Sequence, residues 1–152
     1  MKSSIDSPAD LGRTAREIVT RSVAAVGLAG IALIHLLDSL GKFQETPYMG
    51  WMYLGLMLSC LAVAAVLIHA NLREAWLATL VLPASAIVGF TLTRTVGLPQ
   101  AHGDIGNWSE PLGLAALFVE GALIALSAYA LAALKPRRVL ARRERSALAG
   151  AR

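Results

Sequence analysis

The sequence predicts an all-α, polytopic membrane protein: an antiparallel bundle of four transmembrane helices with a short N-terminal interfacial helix. Three observations carry that prediction. Of the 152 residues 56% are hydrophobic and only 16% charged, whereas an ordinary soluble domain has about 25% charged residues. The apolar residues gather into four runs, each close to the roughly 20 residues that cross a bilayer as a helix. None of the runs alternates with period two, which removes a β-barrel. Helices are then the remaining way to satisfy the backbone in hydrocarbon.

Residues 1–21 precede the first run and are too polar for a signal peptide. Within them, Met1–Asp6 read as frayed. Ser7 reads as an N-cap, with Pro8 at the first helical position and Asp10 in the first turn. Leu11, Ala15, Ile18 and Val19 then recur at helical spacing beside Arg13, Arg16 and Arg21. This pattern predicts an interfacial helix lying on the headgroups before the chain turns into the membrane.

The four spans are Ser22–Leu40, Met49–His69, Ala75–Val96 and Pro111–Leu134, followed by a basic tail over 135–152. Short links make sequential helices antiparallel neighbours. Gly27, Gly30, Gly50, Gly55, Ser59, Gly113, Gly121, Ala125 and Ser127 are the small residues that let membrane helices approach. Pro83 should kink the third helix. Cys60 is the single cysteine, so disulfides and Cys-based metal sites are excluded and the thiol reads as a small buried hydrophobe.

Orientation follows from the cations. Of the 14 Lys and Arg, all but Lys42 and Arg94 fall in the N-terminal segment, the second link or the C-terminal tail. The positive-inside rule then places both termini in the cytoplasm, in a bacterial inner membrane. The basic tails should meet anionic lipid rather than nucleic acid. Phe43, Tyr48, Trp51, Tyr53 and Trp108 mark the outer interface, and Trp76 the inner one.

The residues that need an explanation lie in the outer half. Glu120 is nine residues past Pro111, about 13 Å deep by helix rise. His35 is about 7 Å deep, with Asp38 on the same face one turn further out. Arg94 ends the third helix, near Thr91, Thr93 and Thr95. The long third loop carries His102, Asp104, Asn107 and Glu110, with Ile105 and Trp108 as anchors for a lid. Asp38, Glu45, Asp104, Glu110 and Glu120 face only Lys42 and Arg94 as cations on this side.

Intramembrane ionisable residues raise functional hypotheses, and three fit here. One is an internal network in which Arg94 pairs with Asp38 or Glu120 and fixes helix register. A second is a divalent metal site using His35 and Glu120, with Asp38 or His102; imidazole plus carboxylate suits zinc, manganese or iron. A third is a proton- or substrate-binding site at Glu120. Bis-histidine haem is excluded because His69 lies at the opposite boundary, although a single His35 ligand is not. No P-loop, GxSxG or GxGxxG stands in a fitting context.

At Gly89-Phe-Thr-Leu-Thr-Arg-Thr-Val-Gly-Leu-Pro99 and Asn107-Trp-Ser-Glu-Pro-Leu-Gly113 the chain resembles a group of small four-helix integral membrane proteins of actinobacterial type. The resemblance implies that Arg94, Pro99, Trp108, Glu110 and Pro111 form a recurring element. It implies no activity. The functional expectation is therefore a non-enzymatic accessory or ligand-binding subunit. Alternatives are a small cation or proton-coupled transporter, or a metal- or haem-binding protein using His35 and Glu120. A homodimer or larger membrane complex fits either class.

Overall fold

Four apolar helices, each long enough to cross a bilayer, make up most of the computed structural model. It describes residues 8–150, with side chains over 8–134. Helix α1 spans Pro8–Glu45, α2 Pro47–His69, α3 Arg73–Thr95 and α4 Pro111–Gly150; a 3₁₀ turn, His102–Asp104, interrupts the long third loop. No strand occurs among the described residues. The protein is a four-helix membrane bundle, as its hydropathy predicts.

Two boundaries differ from the sequence expectation. Residues 8–21 are not a separate interfacial helix; they are the first turns of an unbroken α1 of 38 residues. Helix propagation is cooperative, and this stretch has no proline after Pro8 and only Gly12 to weaken it, so nothing breaks the helix at the membrane boundary. Arg13 adds an i, i+3 ion pair to Asp10 at 2.9 Å. Ser7 and Met1–Asp6 lie outside the described residues. At the other end of the chain, α4 continues past Leu134 to Gly150.

The helices form a ring. The broadest contact is α1 with α2, then α3 with α4, then α1 with α4; α2 with α3 is the thinnest side, and α1 barely meets α3 across the diagonal. Thr46 alone joins α1 to α2, and residues 70–72 join α2 to α3. The α1–α2 link and the α3–α4 loop therefore share one end, called here the loop end. The α2–α3 link, the start of α1 and the finish of α4 share the other, the terminal end. Helices α1 and α4 have 38 and 40 residues against 23 each in α2 and α3. At 1.5 Å per residue the long pair is more than about 20 Å longer than the short pair. Since the four are level at the loop end, the excess stands up as a step at the terminal end.

The terminal half is filled by side chains. Ala24, Leu28, Ile31, Cys60, Ala64, Leu67, Trp76, Leu123 and Ala130 form one buried cluster. Gly27 is required here: a Cβ on it would come within 2.9 Å of Leu123 Cδ2, so α1 and α4 approach only because the methyl is missing. Gly50 seats the Phe43 ring and Gly113 the Phe90 ring in the same way, whereas Gly55 and Gly121 have nothing within 4 Å and mark no close approach. Arg21 donates from Nε to the Leu67 carbonyl and from Nη2 to the Ile68 carbonyl, both at 2.6 Å. It thereby satisfies carbonyls that the last turn of α2 leaves without helical partners. Trp76 Nε1 donates to Asn71 Oδ1 at 2.7 Å, which resolves the one polar atom of a ring 1% exposed.

Candidate functional site: a cavity at the loop end

All four helices contribute walls to a cavity of about 210 Å³ in the loop half. That exceeds the roughly 150 Å³ at which an apolar protein cavity takes up benzene. Helix α1 supplies His35 and Asp38, α2 supplies Tyr53, α3 supplies Arg94, and Glu110 stands just before α4, which supplies Glu120. The structure thus brings together five of the seven residues singled out in the sequence: His35, Asp38, Arg94, Glu110 and Glu120. His102 and Asp104 do not line the cavity. His102 is an exposed residue of the 3₁₀ turn, and Asp104 sits in the loop above.

The roof is built by Arg94. Its side chain is only 5% exposed, and it forms ion pairs with Glu110 and, at 3.4 Å, with Asp104. Nε donates to the Asn107 carbonyl at 2.8 Å and Nη1 to Thr93 Oγ1 at 3.0 Å, while the guanidinium stacks 4.5 Å from the Phe90 ring centre. The expected partners, Asp38 and Glu120, are not the ones it takes. Arg94 stands on the last turn of α3, so its long side chain reaches the loop that leaves this turn; Glu120 is about 13 Å lower. The same loop returns a backbone bond, Gly106 N–H to the Arg94 carbonyl at 3.0 Å.

The loop is a folded lid. Gly97 and Gly106 take φ of +75° and +80°, and Gly97 also lies where a Cβ would press on Ile105 at 3.0 Å. Trp108 meets the edge of Phe90 with ring centres 6.1 Å apart. On the opposite side, Lys42 at the finish of α1 bridges Glu45 and Asp104, each at 3.1 Å. Thr46 and Tyr48 donate to the carbonyls of Gln100 and Pro99. Glu45, Lys42, Asp104, Arg94 and Glu110 form a continuous chain of charge pairs over the mouth of the bundle. Lys42 was legible in the sequence as one of only two cations on this side, but its role as the second strap across the lid was not.

The floor differs in kind. Glu120 is 1% exposed, and its Oε1 makes no hydrogen bond. Phe118, two residues earlier and so on the opposite helix face, is 79% exposed: the helix turns the carboxylate inward and the ring toward lipid. Midway up, His35 Nδ1 lies 3.0 Å from the Ile31 carbonyl. A carbonyl only accepts, so Nδ1 carries the hydrogen and donates. The imidazole meets Tyr53 edge-on, ring centres 4.9 Å apart. Tyr53 read as part of an aromatic belt; its position one turn deeper than Met49 put it level with His35 but did not say which way it faces. The Tyr53 hydroxyl lies within electrostatic reach of Asp38, Glu110 and Arg94.

Among the described residues no three His, Cys, Asp or Glu side chains gather as a metal ion requires. His35 and Glu120 share the cavity with Asp38 and Glu110, but no three of these side chains gather at one point, so the arrangement does not support the metal expectation.

The fold and cavity define a class: a small four-helix membrane protein with a lidded, partly charged chamber in one half and a close-packed other half. No protein-family model matches the chain, and comparison with characterised proteins and with solved structures gives no match.

Proposed function

We propose that this protein is a ligand-binding membrane protein whose loop-end cavity holds a small lipophilic amine, with the ammonium seated on Glu120. The observation that carries this reading is Glu120 Oε1, buried and without a partner in a cavity of about 210 Å³. An unpartnered ionised carboxylate inside a bilayer costs several kcal/mol, which a ligand's donor offsets. Charge favours a cation: Asp38, Glu110 and Glu120 line the cavity against Arg94. Apolar walls, among them Ile34, Leu56, Phe90 and Ala116, suit the rest of such a molecule. Tyr53 adds a ring for an ammonium.

A transport reading needs a path onward to the terminal end. Leu28, Cys60, Leu67, Trp76 and Leu123 fill that half, which favours binding over passage. With the twelve clustered cations in the cytoplasm, the cavity would lie in the outer half of the membrane.

The test is thermal stabilisation of the detergent-purified protein by cyclohexylmethylamine, with cyclohexylmethanol as its neutral counterpart. The amine should raise the melting temperature in proportion to its occupancy, the alcohol far less, and Glu120→Gln should remove the difference. Equal response to both compounds, or none, overturns the reading.

A further inference from the structure

A second chamber lies at the opposite end, and it owes nothing to the first. It occupies about 240 Å³ at the foot of the step where α1 and α4 stand above the α2–α3 link. Arg13, Arg16 and Thr20 of α1 form one wall, Tyr129 of α4 the other, and Asn71 and Trp76 the base. Its height is set by α1. The apolar run begins at Ser22, so Arg16 stands about 9 Å and Arg13 about 13 Å beyond the hydrocarbon edge. The headgroup layer on each side of a bilayer is roughly 5–8 Å deep. Both backbones therefore stand just beyond the headgroup layer, but the chamber that Arg16 and Arg13 line reaches down to Trp76 and Tyr129 at its inner boundary, where amphipathic rings belong.

Arg13 and Arg16 stand beside two carboxylates, Asp10 and Glu17. Arg13 pairs with Asp10 at 2.9 Å while remaining 58% exposed, so its guanidinium keeps free donors. Glu17 also lines the chamber, with interactions of its own. Arg21, one turn below, is committed to the carbonyls of α2. The sequence continues α4 past this level with Lys135, Arg137 and Arg138. Two guanidinium groups at the mouth of a chamber that leads down through the headgroup layer to a ring-lined base are the chemistry that holds a phosphodiester.

We infer that this step is a binding site for the phosphate headgroup of an anionic phospholipid, gripped by Arg13 and Arg16, with its glycerol backbone against Trp76 and Tyr129. Phosphatidylcholine carries the same phosphodiester, but its ammonium would stand beside Arg13 and Arg16, so the site should prefer an anionic over a zwitterionic headgroup.

Native mass spectrometry of the full-length, delipidated protein tests this, with phosphatidylglycerol, phosphatidylcholine of the same chains, and inorganic phosphate as probes. Phosphatidylglycerol should be retained in preference to phosphatidylcholine. Each arginine near an anionic headgroup is worth about fivefold, so Arg13→Gln with Arg16→Gln should lower retention about 25-fold. Arg73→Gln, outside the chamber, should change it by less than about twofold. If the double variant does not stay folded, Arg16→Gln alone should cost about fivefold. Equal retention of the two lipids, or an equal loss in Arg73→Gln, overturns the inference. Displacement of phosphatidylglycerol by inorganic phosphate in stoichiometric amounts would overturn the lipid as the source and leave a site for free phosphate.

Discussion

The two halves of this bundle are held together by different physics. In the terminal half, helices meet through Ala24, Leu28, Cys60, Leu67 and Leu123, with Gly27 admitting Leu123. Lipid tails are as apolar as these side chains, so what joins them is close contact rather than escape from water. In the loop half the same helices stand around a cavity, and charge pairs close the top: Lys42 to Asp104, Arg94 to Asp104 and Glu110. The polar half is not a weaker copy of the apolar half. It trades contact for a chamber and recovers cohesion by strapping a loop across it.

The largest predicted effect breaks the strap. Arg94→Leu leaves Asp104 and Glu110 without their shared cation and should destabilise the protein by about 3–5 kcal/mol. Melting in detergent checks it, and a change under about 1 kcal/mol would mean the charge chain carries no load. Glu110→Gln in the Arg94→Leu background should recover part of the loss, since one orphaned charge is then gone.

Next is the apolar half. Leu28 is 0% exposed, and Leu28→Ala should cost about 2–4 kcal/mol through the cavity it opens. The cost should not depend on salt, whereas the fully formed Lys42–Asp104 link, with Asp104 17% exposed, should weaken as ionic strength rises. Chemical denaturation at two salt concentrations separates the halves.

Arg21→Ala comes third. It removes both donors from the carbonyls of Leu67 and Ile68 and should cost about 1–3 kcal/mol. Faster amide hydrogen exchange confined to the last turn of α2 would locate the loss.

The smallest effect is at the chamber floor. Glu120 Oε1 has no partner to lose, so Glu120→Gln should leave stability within about 1 kcal/mol of the parent, or raise it. A drop comparable with that of Arg94→Leu would show that Glu120 belongs to the charge chain after all.

Much of this architecture was legible beforehand. Hydropathy located all four spans, because crossing a bilayer demands about 20 apolar residues whatever the neighbours are. Helix rise put Glu120 further from the loop end than His35, because position along a helix is a local property. Small residues were a weaker guide. Gly27, Gly50 and Gly113 are close approaches, but Gly55 and Gly121 face open space, and periodicity does not say which side of a helix its neighbour occupies. The break expected near Arg21 is absent because the helix has no residue there that would stop it.

Hydropathy and helix rise thus yield the number and order of the apolar helices and the place of each polar group along its helix. Who meets whom is settled only when the helices pack. Arg94 takes Asp104 and Glu110 rather than Asp38 or Glu120, and Tyr53 turns inward to His35. Glu120 is left with an unpartnered oxygen above a filled half-bundle. The physical reason is that hydropathy and helix rise are read along one chain. Partner choice depends on how each helix is rotated about its axis, and on how the loop after Arg94 folds back over the ring through Gly97, Ile105 and Gly106.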